Sequence, residues 1–227
     1  MALGVLSAIS WVIAAGLLGL TISGLFSGWM RIRRRAFLVP YVIVSSLFLF
    51  GFFFLNSINV AELLLQNWLY GVIAGGIVGA ILARNVLTQP PSKSLEQKPP
   101  IADVLWVGVA YGVIDALMLN VMPVVAVWIA LEEIGVLSGW SLQIMGALIS
   151  LGASLFVTAL YHVGYTEFRN RSMGLVLVGN TIITLAYLLS TNPLGAILSH
   201  AIMHIAAVVK GPESTMQLPP HYSPSHS

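Results

Sequence analysis

ALGVLSAISWVIAAGLLGLTISGLF, residues 2–26, is followed within a few residues by RIRRR, residues 31–35. The first stretch has no charged side chain, and the second carries four arginines. A helix needs about 20 apolar residues to cross the hydrocarbon of a bilayer, and this one exceeds that. A cleaved signal peptide would place its positive charge before a shorter apolar run. Here the charge follows a long run, so the sequence predicts an uncleaved first span whose C-terminal end faces the cytoplasm.

The rest of the chain repeats that pattern. Of its 227 residues 58% are hydrophobic and only 8% are charged. A soluble domain carries about 25% charged residues to wet its surface, so soluble enzymes, disordered regulators and nucleic-acid-binding proteins are excluded. The lipid bilayer is the expected partner, and the prokaryotic plasma membrane the expected location. With no cysteine there is no disulfide, thiolate nucleophile or Cys-ligated metal. Six further spans are predicted: about Ala36–Leu55, Leu63–Leu82, Ala102–Leu131, Leu142–Gly164, Met173–Leu189 and Leu194–Val209. Pro123 lies inside the fourth and predicts a kink or break. Residues 1–87 read as a three-span region, 88–101 as a polar linker (TQPPSKSLEQKPP), 102–209 as a four-span core, and 210–227 as a polar tail.

Charge supports the count. Four basic residues follow span one, three follow span three, two follow span five, and Lys210 follows span seven, which accounts for all ten. The N-terminus and the other three connections have none. By the positive-inside rule the N-terminus is outside and the C-terminus cytoplasmic. The fold class expected is an all-α, seven-span bundle. In span three Gly71, Gly75 and Gly79 form two overlapping GxxxG motifs, read here as close packing within one chain. No internal repeat of the kind found in transporters is visible.

Ionisable side chains in mid-membrane cost about 2.5–3.5 kcal/mol each on insertion scales, and by default they mark function. Four stand out: Asp115 in span four, His162 near the end of span five, and His200 and His204 one turn apart on one face of span seven. Asn120 and Asn180 are polar companions. One carboxylate and three imidazoles suit general acid–base chemistry or a divalent metal such as zinc. The metal's ligands would be His162, His200 and His204. In straight helices His162 and His200 lie at different depths, so they meet only if a helix bends or tilts. Glu132 and Glu133 sit at the outer end of span four, where charge costs little. No span contains the lysine that a retinal protein needs, and no second histidine pair supports bis-His haem.

The stretch TNPLGAILSHAIMH, residues 191–204, resembles the last motif of the CPBP family, the CAAX-type prenyl endopeptidases and bacteriocin-processing proteins. That motif reads as a small-polar-Leu start, four apolar residues and HxxxN. The family's FxxxH resembles Thr158–His162, with Phe156 two positions early, and the 38 residues between His162 and His200 fit its layout. Its EExxxR resembles Glu132-Glu133, 30 residues before His162. The departures are Leu137 at the arginine, Thr158 at the phenylalanine and His204 at the final asparagine. The resemblance covers about Trp106 to Val209. It implies a carboxylate base, Asp115 or alternatively Glu132 or Glu133, acting on a water that attacks an amide of a membrane-associated peptide. His162 would hold that water, and His200 with its neighbour would stabilise the oxyanion. A relative with lapsed chemistry, serving as a binding or scaffold protein, and a proton-coupled carrier are the alternatives.

Overall fold

A computed structural model of the chain describes residues 2–32, 34–89, 99–135 and 139–211. Most of the expected linker, Leu137 and the tail beyond Gly211 lie outside the described residues. All regular structure among the described residues is helical. The main elements are α1 (Ala2–Ile22, continued by a π-helical segment Ser23–Trp29), α2 (Arg34–Leu55), α3 (Val60–Leu65) and α4 (Trp68–Leu87), followed by α5 (Ile101–Glu133), α6 (Trp140–Val163), α7 (Ser172–Ser190) and α8 (Leu194–Lys210). Six of them are long and apolar enough to cross a membrane, and α8 is a shorter apolar helix of 17 residues. The protein is thus an all-α, multi-pass bundle.

Burial identifies the centre. In α5, 72% of the most apolar stretch is buried, against 28–33% in the other five long helices. The outer helices turn Leu6, Leu47, Phe50, Ile77, Leu148 and Leu175 outward. In water such a belt would drive aggregation, and in lipid it is the matched surface.

Helix α8 lies in the bundle between α4 and α5. Gly71 of α4 faces Asn192, Gly75 faces the Leu194 carbonyl, and Gly79 faces Ile202. At the far end Lys210 Nζ donates to the Leu87 carbonyl at 2.8 Å. The two helices therefore run parallel along the whole of α8, and the GxxxG motifs serve this internal contact. A Cβ on Gly75 would stand 2.7 Å from the Leu194 oxygen, closer than real Cβ atoms come. On the other side of α8, a Cβ on Gly112 of α5 would meet Ala201 Cα at 2.8 Å and His204 Cδ2 at 3.2 Å. These two glycines bring α8 close to α4 and to α5.

Two boundaries differ from expectation. The third long helix begins at Trp68 rather than Leu63, because Asn67 adopts left-handed φ (57°) and separates it from α3. Asn192 then takes up α3's terminal carbonyls, donating Nδ2–H to Leu64 and Gln66 while its Oδ1 accepts from the Leu194 N–H. The break expected at Pro123 is absent, since α5 runs through it with π-helical turns at Val104–Ala110 and Leu117–Val121. Proline has no N–H to offer the carbonyl four residues back. That carbonyl, of Leu119, accepts from Ser154 Oγ at 2.7 Å. A wider turn and a hydroxyl from α6 accommodate the proline without ending the helix.

Candidate functional site

Asp115 lies near the middle of α5, and His200 and His204 lie one turn apart on α8. Their rings stack 5.0 Å apart and within 8° of parallel, as i and i+4 side chains on one face do. With Gly112 holding the helices close, both rings reach the same carboxylate oxygen. His200 Nε2 is 3.2 Å and His204 Nε2 is 3.8 Å from Asp115 Oδ2. All three side chains are buried, and one ligand-type atom from each lies within 4.8 Å of the others. No other such trio occurs among the described residues.

Two of the three are held from behind. Tyr41 of α2 donates its hydroxyl to Asp115 Oδ1 at 2.6 Å, leaving Oδ2 to the imidazoles. Asn120 Nδ2 donates to Asn180 Oδ1 and to Thr184 Oγ1, both at 2.8 Å. With both amide hydrogens used there, Asn120 presents Oδ1 to His200 Nδ1 at 3.3 Å. A carbonyl oxygen only accepts, so His200 Nδ1 carries a proton and its Nε2 faces Asp115. The network continues from Asn180 Nδ2 to Ser154 Oγ (2.9 Å) and ends at the Leu119 carbonyl beside Pro123. His204 is the exception: neither ring nitrogen has a hydrogen-bond partner among the described residues. Its ring meets Tyr111 edge-on at 4.7 Å.

Four buried tyrosines close one side. Tyr165 donates to the Tyr161 hydroxyl at 2.6 Å, and Tyr111 and Tyr161 share a bond of 3.1 Å. The Tyr41 ring packs against Tyr111 and Tyr161, each at 5.4 Å. Burial pushes the Tyr165 phenol, which lies just beyond the end of α6, well above the usual tyrosine range, so it stays a donor.

The structure brings Asp115, His200 and His204 together and leaves His162 outside the trio. His162 is the penultimate residue of α6 and donates Nδ1–H to the Thr158 carbonyl at 2.8 Å. It packs against Tyr161 and Phe168. Glu132 and Glu133 are exposed at the end of α5. Seventeen helical residues separate Glu132 from Asp115, about 25 Å at 1.5 Å per residue, so neither acid reaches the imidazoles. Sequence reasoning missed Tyr41, Tyr111, Ser154 and Thr184. Only Tyr111 carried a signal, because it precedes Asp115 by one turn. Tyr41 comes from the region read as a separate N-terminal unit, and only the packed fold carries it to Asp115. No known protein family, curated protein or solved structure matches the chain, and the chemistry of the site rests on its own residues.

Proposed function

We propose that the protein is an intramembrane hydrolase that cleaves an amide bond of a membrane-associated peptide at the Asp115, His200 and His204 centre. One observation carries this reading: a carboxylate and two imidazoles converge, buried among the apolar helices. Structural stability gives no reason for such a group, since a buried polar trio is at best neutral beside an apolar core of the same volume. The likeness of residues 191–204, which hold both imidazoles, to the last motif of CAAX-type endopeptidases supports an amide as the bond broken.

Hydrolysis needs a group to take a proton from water, a donor for the oxyanion, and a proton for the leaving amine. The trio supplies the first, and an imidazole that has gained the proton returns it to the amine nitrogen as the C–N bond breaks. The tyrosines supply the donor. Three phenolic hydrogens serve two bonds among Tyr111, Tyr161 and Tyr165, so Tyr111 or Tyr161 keeps one without an acceptor among the described residues. Tyr111 stands one turn from Asp115 and against His204, where an oxyanion would form.

Seven crossings with a cytoplasmic C-terminus are part of the proposal. Parallel α4 and α8 support it, as alternate crossings of one chain must be parallel when an odd number of helices separates them. The described basic side chains support it too, because Arg84, Arg169 and Lys210 lie at the end where α4, α6 and α8 finish.

The test is cleavage by purified protein in liposomes, using prenylated peptides and membrane-helix peptides. Wild type should cleave at least one class, and Asp115→Asn should be slower by at least ~100-fold, the usual worth of a positioned base. Equal rates would remove Asp115 from the chemistry. No cleavage by wild type would reject the hydrolase in favour of a binding protein with lapsed chemistry. The polar chain through Asn120 and Asn180 favours a proton-coupled carrier as a second reading. Amides hold protons without passing them on, which places that reading second.

A further inference from the structure

We infer that Asp115, His200 and His204 are the ligands of one divalent transition-metal ion of the zinc type. The geometry supports it whether or not the protein hydrolyses anything. With an ion bound, both Nε2 lone pairs would be taken, and the ion rather than the trio would supply the activation of water.

Two of the three spacings approach those of ligands around an ion, and all three ligand atoms lie within 4.8 Å of one another. Zinc binds imidazole nitrogen and carboxylate oxygen at about 2.0–2.1 Å, so two ligands on a tetrahedron stand about 3.3 Å apart. The distances from Asp115 Oδ2 are 3.2 Å to His200 Nε2 and 3.8 Å to His204 Nε2. Hydrogen bonding accounts for the first at best. The second is too long for a hydrogen bond, and it leaves His204 with two buried nitrogens and no partner among the described residues. An unsatisfied buried polar atom costs about 1–3 kcal/mol. An ion between the three satisfies His204 Nε2, His200 Nε2 and Asp115 Oδ2 at once.

The surroundings match those of a metal site. A ligating histidine almost always gives its other N–H to an acceptor, which fixes the tautomer and aims the lone pair. His200 Nδ1 does so to Asn120 Oδ1, whose orientation the Asn180 and Thr184 bonds determine. A ligating carboxylate is itself hydrogen-bonded through its other oxygen, here by Tyr41 to Oδ1. Two imidazoles and one carboxylate favour zinc and its neighbours over calcium or magnesium, which prefer oxygen alone. Three protein ligands also leave a fourth position open, the pattern of catalytic rather than structural zinc. A bound +2 ion further offsets the buried carboxylate, which has no Lys or Arg paired with it among the described residues.

The experiment is metal analysis of full-length protein, purified in detergent, supplied with zinc and then desalted. Cobalt loading gives a second readout, since tetrahedral Co(II) absorbs strongly in the visible. Wild type should hold about one zinc per chain. Asp115→Asn, His200→Ala and His204→Ala should each lose it. Tyr41→Phe, which keeps the ring and so the packing, should retain the fold and bind zinc 10–100-fold more weakly. His162→Ala should bind as wild type does. A folded wild type that holds no zinc and shows no cobalt spectrum overturns the inference. So does zinc retained by all three ligand variants, or zinc lost on removing His162 from a protein that still folds. Zinc bound at the trio without peptide cleavage leaves the metal site standing and removes only the hydrolase.

Discussion

Asp115 is the residue on which the site turns, and its surroundings predict how a substitution behaves. Asparagine is its nearest neutral relative and still accepts from Tyr41, while its Nδ2 can donate to His200 Nε2. Stripped of metal, Asp115→Asn should therefore melt within about 2 °C of wild type, corresponding to a change under about 1 kcal/mol for a chain of this size. Zinc should raise the melting temperature of wild type, because an ion that binds only the folded state stabilises it by mass action, and leave the variant unmoved. A fall of many degrees without metal would make Asp115 a structural partner instead. Asp115, His200 and His204 were legible in the sequence because charge and imidazole are out of place in an apolar helix. Tyr41 was not, since a tyrosine in a membrane span is unremarkable until its hydroxyl is seen against a carboxylate.

Glycine controls the approach of α8 at the level of the helices. Gly75 and Gly76 are neighbours in α4 with opposite surroundings. A Cβ on Gly75 collides with the Leu194 oxygen, and one on Gly76 meets nothing within 4 Å. Gly75→Ala should destabilise the protein by about 1–3 kcal/mol, the usual cost of overpacking. Gly76→Ala should be neutral or stabilising by up to about 1 kcal/mol through helix propensity. Thermal melting of the pair checks this, and equal effects would contradict the packing of α8 on α4. Gly112→Leu should go further and force His204 away from Asp115, lowering zinc affinity even where the protein still folds. The GxxxG spacing was readable as a close contact, but its partner was not, because the motif encodes a small surface and says nothing about what fills it. The unbroken passage of α5 through Pro123 was hidden for a similar reason. Its carbonyl is rescued by Ser154, a residue distant in sequence.

Across the whole molecule, the polar centre is enclosed by helices from both halves of the chain. Tyr41 of α2 bonds Asp115, and α4 packs along α8, so residues 1–87 and 102–209 share one core. The helical membrane character was plain from composition and charge alternation. The convergence of α2, α5, α6, α7 and α8 on one network was not, since the order of helices in space depends on packing rather than periodicity. Orientation is tested on the cysteine-free background of the chain. Cysteine at Glu132, exposed at the end of α5, should label from outside intact cells, and cysteine at Arg171 only after permeabilisation. The reverse pattern would invert the topology. The central claim, that Asp115, His200 and His204 act as one centre, is tested most directly by X-ray absorption at the zinc edge of the loaded protein. Two imidazole nitrogens at about 2.0–2.1 Å, with oxygen completing a four-coordinate shell, are expected. Three imidazoles, or an all-oxygen shell with no imidazole scattering, would contradict it.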